Sequence, residues 1–586
     1  MDAARRALQQ HFGFEDFRPG QAEAVAAALA GRDVLVVMPT GAGKSLCYQL
    51  PALMRSDLTI VVSPLVSLMQ DQVQALERVA PARAALVNAQ QNAAANRGAI
   101  AAAARGEVRL LYVAPERFSS PGFLEAVRDI DVGLFVVDEA HCVSQWGHDF
   151  RPDYFRLADA ARWLGAKAIL ASTATATPQV ARDITGRLRL RDPVMVTTGF
   201  DRPNLSFAVV PCKSGSDKAR RLLAALAEPE SRPAIVYAGT RAEVERLAGD
   251  LEGALGVEVV PYHAGLGREE RAEAQRRFMA GDVDVVVATN AFGMGVDKAD
   301  VRTVAHATVP GSVEAYYQEA GRGGRDGMPA KALLFAERRD KSLHVFFIQR
   351  AQVDDDAISR VAVRLQAAAA EGGVYDLPLG DLDPEPDRVR AILGHLARAG
   401  VIQPAPAPVD RARGRIAAAF DGRTRAACRA SAAEALRARW RQYRSVWAFV
   451  EGAACRRETI LRHFGDRMQP APDVPCCDVC APDLAGAAAV SPPPLRVGDR
   501  EPGDLDAAIV EVVAHASPAV GRTRAVEILR GGRSKVVQQY AYDGLSAYGS
   551  FSHLSSGEVL ERVDGLLRAG RLRSTGGRFP KLEPAL

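Results

Sequence analysis

Between residue 31 and about residue 340 the chain alternates short, almost wholly apolar runs with stretches of helical periodicity. DVLVV (33–37), LTIVVS (58–63), VRLLYV (108–113), VGLFVV (132–137) and AKAILAS (166–172) form one set. PAIVY (233–237), VEVVPY (257–262), DVVVAT (284–289), VRTVAHA (301–307) and AKALLF (330–335) form a second. Apolar runs of this length without polar alternation read as strands buried on both faces, and helices between them make the sheets parallel. The pattern predicts an α/β protein with two similar domains, 1–199 and 200–340, the break falling near TTGFDRPNLSF (197–207).

Beyond residue 341 the strand pattern stops. Residues 341–409 read as a helical insertion and 410–484 as a helical unit ending in a cysteine cluster. AGAAAVSPPPLRVGDREPGD (485–504) has no periodic apolar face and reads as a linker, leaving 505–586 as a small helical domain. LARAGVI (396–402) and LLRAGRL (566–572) each end an amphipathic helix at glycine before a strand-like piece, and RLRSTGGRFPKL turns on Gly576 and Gly577 like a hairpin. A helix followed by a hairpin is how a winged helix ends. Two winged-helix-like units are therefore expected, the competing reading for the first being an unrelated helix capped by glycine.

Composition narrows the class: 48% hydrophobic, 25% charged and a net charge of +4 are ordinary for a globular protein. MDAARRALQQHF lacks the apolar core of a leader and no run is long enough to span a bilayer, so a cytoplasmic, nucleoid-associated protein is expected. Charge distribution says more than the total. Residues 411–470 hold fourteen Arg against five Asp and Glu, which fits a polyanionic partner or a solvated arginine face.

The chemistry starts at VLVVMPTGAGKSLCYQLPAL (34–53), where a strand runs through a glycine loop into a helix. Backbone N–H groups of such a loop turn around phosphate oxygens, Lys44 neutralises terminal phosphates and the Ser45 hydroxyl can ligate Mg²⁺. Met38 replaces the first glycine of the strict pattern. VVDEAH (136–141) supplies Asp138 to hold Mg²⁺ and Glu139 to deprotonate the attacking water. YYQEAGRGGRDG (316–327) offers Gln318, Arg322 and Arg325, cations that could reach a γ-phosphate from the second domain.

HFGFEDFRPGQAEAV (11–25), MPTGAGKSLCYQLP (38–51), VVSPLVSLMQDQV (61–73), LLYVAPERF (110–118), VVDEAHCVSQWGHDFRPDY (136–154), LASTATAT (170–177), TNAFGMGVDKADVR (289–302) and YYQEAGRGGRDG resemble the ordered motif series of RecQ-family DNA helicases. The resemblance covers roughly the first 340 residues. It implies two RecA-like domains that hydrolyse ATP with Mg²⁺ and unwind DNA in the 3′ to 5′ direction. It also implies that Arg18 and Gln21 contact adenine, that Thr40, Gly41, Gly43, Lys44 and Ser45 cradle the phosphates, and that Ser172 and Thr173 couple the domains. Gly295 and Asp297 would line the second wall, with Arg325 the arginine finger and Arg322 beside it. Gly323 stands where the family usually shows Ala.

Of eight cysteines, Cys455, Cys476, Cys477 and Cys480 cluster, which in a cytoplasmic chain favours Zn²⁺ over disulfides. The stretch 448–480 resembles the family's zinc subdomain, except that the family spaces its last three cysteines as two C-x-x-C steps. Adjacent cysteines would share one ion only with a strained backbone, so Cys476, Asp478 and His463 all stand open as the fourth ligand. The C-terminal unit resembles the family's winged helix, whose Arg533, Lys535, Arg571, Arg573 and Arg578 would bind duplex phosphates. With the sequence ending at Leu586, the bacterial type without a further HRDC domain is expected, as a monomer on single-stranded DNA and junctions with single-strand-binding protein as partner.

Trp146, His148, Phe150 and Arg151 follow Glu139 in an aromatic loop. In relatives such a loop senses DNA by stacking on bases; buried loop packing is the competing reading. The activity expected overall is ATP-dependent DNA unwinding in repair and recombination. Its rival is a nucleotide-switched DNA-binding remodeller or adaptor without strand separation.

Overall fold

The structure is a computed structural model. It describes the chain apart from residues 89, 145–153, 155, 294–295, 351, 406, 409, 487–504, 517, 533, 535, 538–539, 541, 543–544, 546, 553, 576–579 and 586. The expectations placed on Trp146, His148, Phe150, Arg151, Gly295, Arg533, Lys535, Arg578 and the turn at Gly576 and Gly577 lie outside the described residues. The chain divides into two compact units, Met1–Ser491 and Pro492–Leu586. Among the described residues no helix is long and apolar enough to cross a membrane.

In the first unit, Val34–Val37 (β1), Leu58–Val62 (β2), Ala84–Val87 (β3), Leu110–Val113 (β4), Val132–Val137 (β5), Ala168–Thr173 (β6) and Val194–Thr197 (β7) form one sheet in the order β3-β4-β2-β5-β6-β1-β7. All its pairings are parallel, and β1, β2, β4, β5 and β6 are buried along their whole length. Helices on both faces remove this apolar area from water at about 25 cal/mol per Å². β3 and β7 were not expected. They are the edge strands, only partly buried, and so lack the continuous apolar run that marks a central strand.

Leu205–Cys212 (β8), Ala234–Tyr237 (β9), Val259–Tyr262 (β10), Val285–Ala288 (β11), Thr303–His306 (β12) and Ala330–Glu337 (β13) form the second sheet, in the order β10-β11-β9-β12-β13-β8. It too is parallel throughout. Two tandem parallel-sheet domains are thus present; β8, which starts inside the stretch read as the domain break, was not expected as a strand. The free edge of β8 is covered by the cysteine segment, where Phe207 N donates to Cys476 O at 3.2 Å and Asp478 N to Phe207 O at 3.1 Å.

Residues 355–416 follow the element order expected of a winged helix. Helix Asp355–Ala368 leads to Val374–Pro378 (β14), helices Leu379–Leu382 and Pro386–Arg398 follow, and Ile402–Pro404 (β15) and Arg411–Ile416 (β16) close an antiparallel sheet ordered β14-β16-β15. β16 comes from residues that the sequence reading gave to the zinc-binding unit; their alternating Arg-X-Arg pattern hides a strand whose Ala412 and Gly414 face inward. The unit docks on the 30-residue helix Gly422–Glu451, with Cys428 buried against it and His395 Nδ1 2.8 Å from Ser431 Oγ. Asp421 starts the long helix by accepting from Thr424 N at 2.9 Å, a cap worth about 1 kcal/mol.

The second unit packs helices Leu505–His515, Arg522–Leu529 and Ser556–Arg568 around one apolar core. A capping box between Ser555 and Glu558 starts the last helix. Leu572–Ser574 (β17) and Leu582–Pro584 (β18) then pair antiparallel, as the expected hairpin requires.

Candidate active site and nucleic-acid cleft

The central order β5-β6-β1 places three loops side by side at the carboxyl ends of adjacent strands. That is where ligands sit in open α/β sheets. Gly41 and Gly43, after β1, hold φ of 86° and 81°, left-handed values that only glycine adopts freely. At Gly43 a side chain would collide with the Gln21 carboxamide. Gln21 Nε2 donates to Ala42 O at 3.1 Å and Gly43 O at 3.0 Å, and Arg18 Nη1 donates to Gly41 O at 2.7 Å. Arg18 and Gln21 thus hold the loop that Thr40 to Ser45 form. Lys44 Nζ donates to Met38 O at 3.2 Å and Pro39 O at 3.3 Å. Burial lowers the Lys44 pKa, and the carboxylates of Glu139 and Asp138 oppose that shift.

Asp138 and Glu139 leave the end of β5. Asp138 Oδ1 accepts from Ser172 Oγ at 3.2 Å and from Glu139 N at 3.0 Å. Burial, then the adjacent Glu139 charge, push the Asp138 carboxyl up to about 6, while Lys44 pulls the other way. Glu139 holds φ 48°, a left-handed value that costs a non-glycine residue strain. His141, which had no role from sequence, and Tyr154, expected only as part of the aromatic loop, support the pair. His141, fully buried, places Nδ1 3.2 Å from Glu139 Oε2 and 3.0 Å from Thr173 Oγ1, and Tyr154 Oη donates to Asp138 O at 3.2 Å. Ser172 and Thr173 at the end of β6 therefore each touch one member of the acidic pair or its support.

The second domain brings its arginines to this loop. Arg325 Cγ would lie 3.6 Å from a Cβ built on Gly41. Its Nη1 donates to Val296 O at 3.0 Å and to Asp297 Oδ1. Burial, with Arg322 close by, lowers the guanidinium to about 10. Arg322 Nη1 donates to Val296 O at 3.3 Å. Among the described residues the buried Nε of Arg322 and of Arg325 has no hydrogen-bond partner. Two buried cationic donors left unmade beside a phosphate-type loop fit a polyphosphate, because an anion there would satisfy both.

Arg202, in the segment joining the two sheets, was not singled out from sequence. Its Nη1 donates to Thr40 O at 3.2 Å and Gly321 O at 3.0 Å, and its Nη2 to Gly323 O at 2.9 Å. One guanidinium thus ties the phosphate loop to the arginine loop. The cysteine-bearing unit fixes its backbone: Arg457, 1% exposed, pairs with Asp201 and donates to Arg202 O at 2.7 Å and to Leu205 O. Phe464 stacks on Phe200 of the same segment at 4.4 Å.

The Sγ atoms of Cys455, Cys476, Cys477 and Cys480 all lie within 4.8 Å of one another. Cys455 is 3.6 Å from Cys476 and 3.8 Å from Cys477, against about 3.8 Å for two thiolates on one tetrahedral Zn²⁺. The expected backbone strain is absent: neither Cys476 nor Cys477 has a positive φ. Cys477 makes a single bridge to Phe207 of β8 and the chain turns directly after it. The other two candidates are engaged elsewhere. Asp478 pairs with Arg456 at 2.9 Å, and His463 Nε2 lies 2.8 Å from Glu314.

A cleft of about 730 Å³ opens beyond the carboxyl ends of β9, β11 and β12, adjacent strands of the second sheet. Gly239, Thr289, Asn290 and Thr308 line it with Leu65 of the first domain. Gln318, expected at the nucleotide, lines this cleft together with Arg322. In the second unit, Arg571 lies 3.4 Å from Asp506, which also takes Arg562, and Arg573 stays exposed on β17.

Comparison with known proteins agrees with this geometry in chain order. DEAD/DEAH box helicase matches residues 18–184, helicase conserved C-terminal domain 217–327, RecQ zinc-binding 415–481 and RQC domain 505–585. The probable ATP-dependent DNA helicase RecS of Bacillus subtilis (strain 168) is 40% identical over 361 residues, 62% of this chain and 72% of that protein. ATP-dependent DNA helicase RecQ of the same organism is 43% identical over 354 residues, 60% of this chain and 59% of that protein. The chain therefore spans less than two thirds of this second relative. A structure of the helicase MrfA bound to DNA shares the fold, with a TM-score of 0.50 at 20% identity over 72% of this chain and 63% of the other. The helicase pair of sheet domains, the zinc-binding unit and the RQC unit follow one another in a single chain, and on that order and the 40% identity to RecS the chain belongs to the RecQ family of ATP-dependent DNA helicases.

Proposed function

We propose that the chain hydrolyses ATP at the junction of its two sheet domains and uses the turnover to unwind duplex DNA in the 3′ to 5′ direction, in repair and recombination. The observation that carries this reading is the meeting of Lys44, Asp138 and Glu139 from one domain with Arg325 from the other across Gly41. Hydrolysis then depends on domain closure, which is what a motor requires.

Thr40 to Ser45 hold the phosphates and Lys44 moves from its carbonyls to the terminal phosphate. Arg18 and Gln21 shift from the loop to the adenine edge, a contact suited to a carboxamide. Ser45 and Asp138 would hold Mg²⁺, which when bound would screen charge on the phosphates. Glu139, oriented by His141, takes the proton of the attacking water, and Arg325 with Arg322 meets the charge that builds on the leaving phosphate. Asp297 releases Arg325 as this happens.

Single-stranded DNA lies in the cleft beyond β9, β11 and β12, where hydroxyl and amide groups meet its backbone. Trp146, His148, Phe150 and Arg151 report its presence to Glu139. The four thiolates bind one Zn²⁺, and the C-terminal winged helix meets duplex phosphates through Arg533, Lys535, Arg571 and Arg573. A switch-only adaptor is disfavoured because it could keep Lys44 while losing Glu139 and Arg325. Strand displacement from tailed duplexes tests the reading.

A further inference from the structure

We infer that the helices Arg338–Arg350 and Gly422–Glu451 form a second wall of the nucleic-acid cleft, on which Arg439 holds a backbone phosphate and Phe347 and Tyr443 stack bases of single-stranded DNA. This rests on the proposal that DNA occupies the cleft.

The wall is built rigidly at its base. His344 is buried, with Nε2 2.7 Å from the Val309 carbonyl and Nδ1 accepting from Trp447 Nε1 at 3.2 Å. This pair of bonds fixes a neutral imidazole with its proton on Nε2. Lys341 lies over the Trp447 ring at 4.9 Å and pairs with Glu451, closing the two helices at one end.

Helical spacing carries the same faces outward to the cleft. On the long helix, Arg439, Tyr443 and Trp447 follow at steps of four and so share a face. Trp447 is buried, Tyr443 half-buried and Arg439 exposed, so this face leaves the core and enters the cleft that Tyr443 and Arg439 line. On the shorter helix Phe347, three residues beyond His344, also lines the cleft and stands 46% exposed. A ring left in water to that extent forgoes burial that a stacked base would recover.

Arg439 differs from its neighbours. Arg437 and Arg441 both pair with Glu434, at 2.5 Å and 3.1 Å. Among the described residues Arg439 makes no ion pair or hydrogen bond. A cation without a counter-charge, on one helix face with Tyr443 and in one cleft with Phe347 and with hydroxyl and amide groups, is the arrangement that takes a single strand by phosphate and π-face without reading its sequence.

The test is anisotropy of a labelled oligodeoxythymidine on the full chain, without nucleotide, over a series of KCl concentrations. Arg439→Ala should weaken binding and flatten the slope of log K against log salt by about 0.7, the share of one single-strand phosphate. Phe347→Ala and Tyr443→Ala should each weaken binding roughly 5- to 100-fold with the slope unchanged, and Phe347→Trp should restore it. DNA-free ATP hydrolysis should stay at the wild-type level in all four. Wild-type affinity and slope in Arg439→Ala together with wild-type affinity in Phe347→Ala would overturn the wall while leaving the DNA reading intact. A wild-type chain that fails to bind the oligonucleotide would overturn the DNA reading itself.

Discussion

Arg202 donates to the carbonyl of Thr40 at 3.2 Å, joining the interdomain segment to the phosphate loop, while its other contacts reach the arginine loop of the second domain. A single guanidinium therefore sets the gap across which Arg325 must reach. Arg202→Ala should lower DNA-stimulated ATP turnover by about 10- to 100-fold with nucleotide affinity within a few-fold of wild type, because it misplaces the arginines without removing them. Arg202→Lys should not rescue, since an ammonium lacks the planar fork that reaches several carbonyls at once. Steady-state kinetics beside fluorescent-nucleotide binding separate the two quantities.

Arg325 and Arg322 are buried cations with an unmade donor each, and their neighbourhood strengthens any charge they meet. Arg325→Ala should reduce ATP turnover by about 10³-fold or more, the range of a lost arginine finger, with a smaller loss in Arg322→Ala. Single-turnover hydrolysis measures this directly, and a larger effect at Arg322 would exchange the two roles.

One Zn²⁺ per chain is expected on Cys455, Cys476, Cys477 and Cys480. Cys476→Ser should lose most of the metal by elemental analysis, whereas Asp478→Ala and His463→Ala should retain it. Because Arg457 of this unit holds the Asp201–Arg202 segment, metal loss should also lower ATP turnover, linking a site that never touches nucleotide to hydrolysis.

His395 gives a pH signature to the docking of the inserted winged helix. Burial, then Arg398 and Arg439, hold its imidazole down at about 4. An unfolded histidine titrates near 6.5, so between about 6.5 and 4 the unfolded chain binds the extra proton. Stability from this group is complete above that window and is lost as pH falls through it. Thermal unfolding should show a smaller drop between about pH 7.5 and pH 5 in His395→Asn than in wild type.

The central strands and the phosphate loop were legible because both are local: an apolar run, or a glycine pattern at fixed spacing. What sequence hid was contact between distant segments. Arg202 sat in plain view in FDRPN, yet its partners lie at Thr40 and Gly321, and nothing local marks an arginine that will bond to carbonyls of two other loops. Arg457 reads as one basic residue in a basic stretch, although it is among the most buried side chains of the chain. His141 stands inside the VVDEAH motif with nothing local to mark its role, because only the fold brings Thr173 beside it. The edge strands β3 and β7 escaped for the opposite reason: half-exposed strands carry a mixed pattern that helices and loops also produce.

The central claim is that ATP turnover at Lys44, Glu139 and Arg325 drives strand separation with one polarity. The most direct measurement is displacement of a labelled strand from partial duplexes carrying a single-stranded tail at either the 3′ or the 5′ end, with ATP and Mg²⁺. The expected result is displacement from the 3′-tailed duplex, little from the 5′-tailed one, and none with Lys44→Ala or Glu139→Gln. Rapid ATP hydrolysis on the 3′-tailed duplex without any released strand would contradict the account.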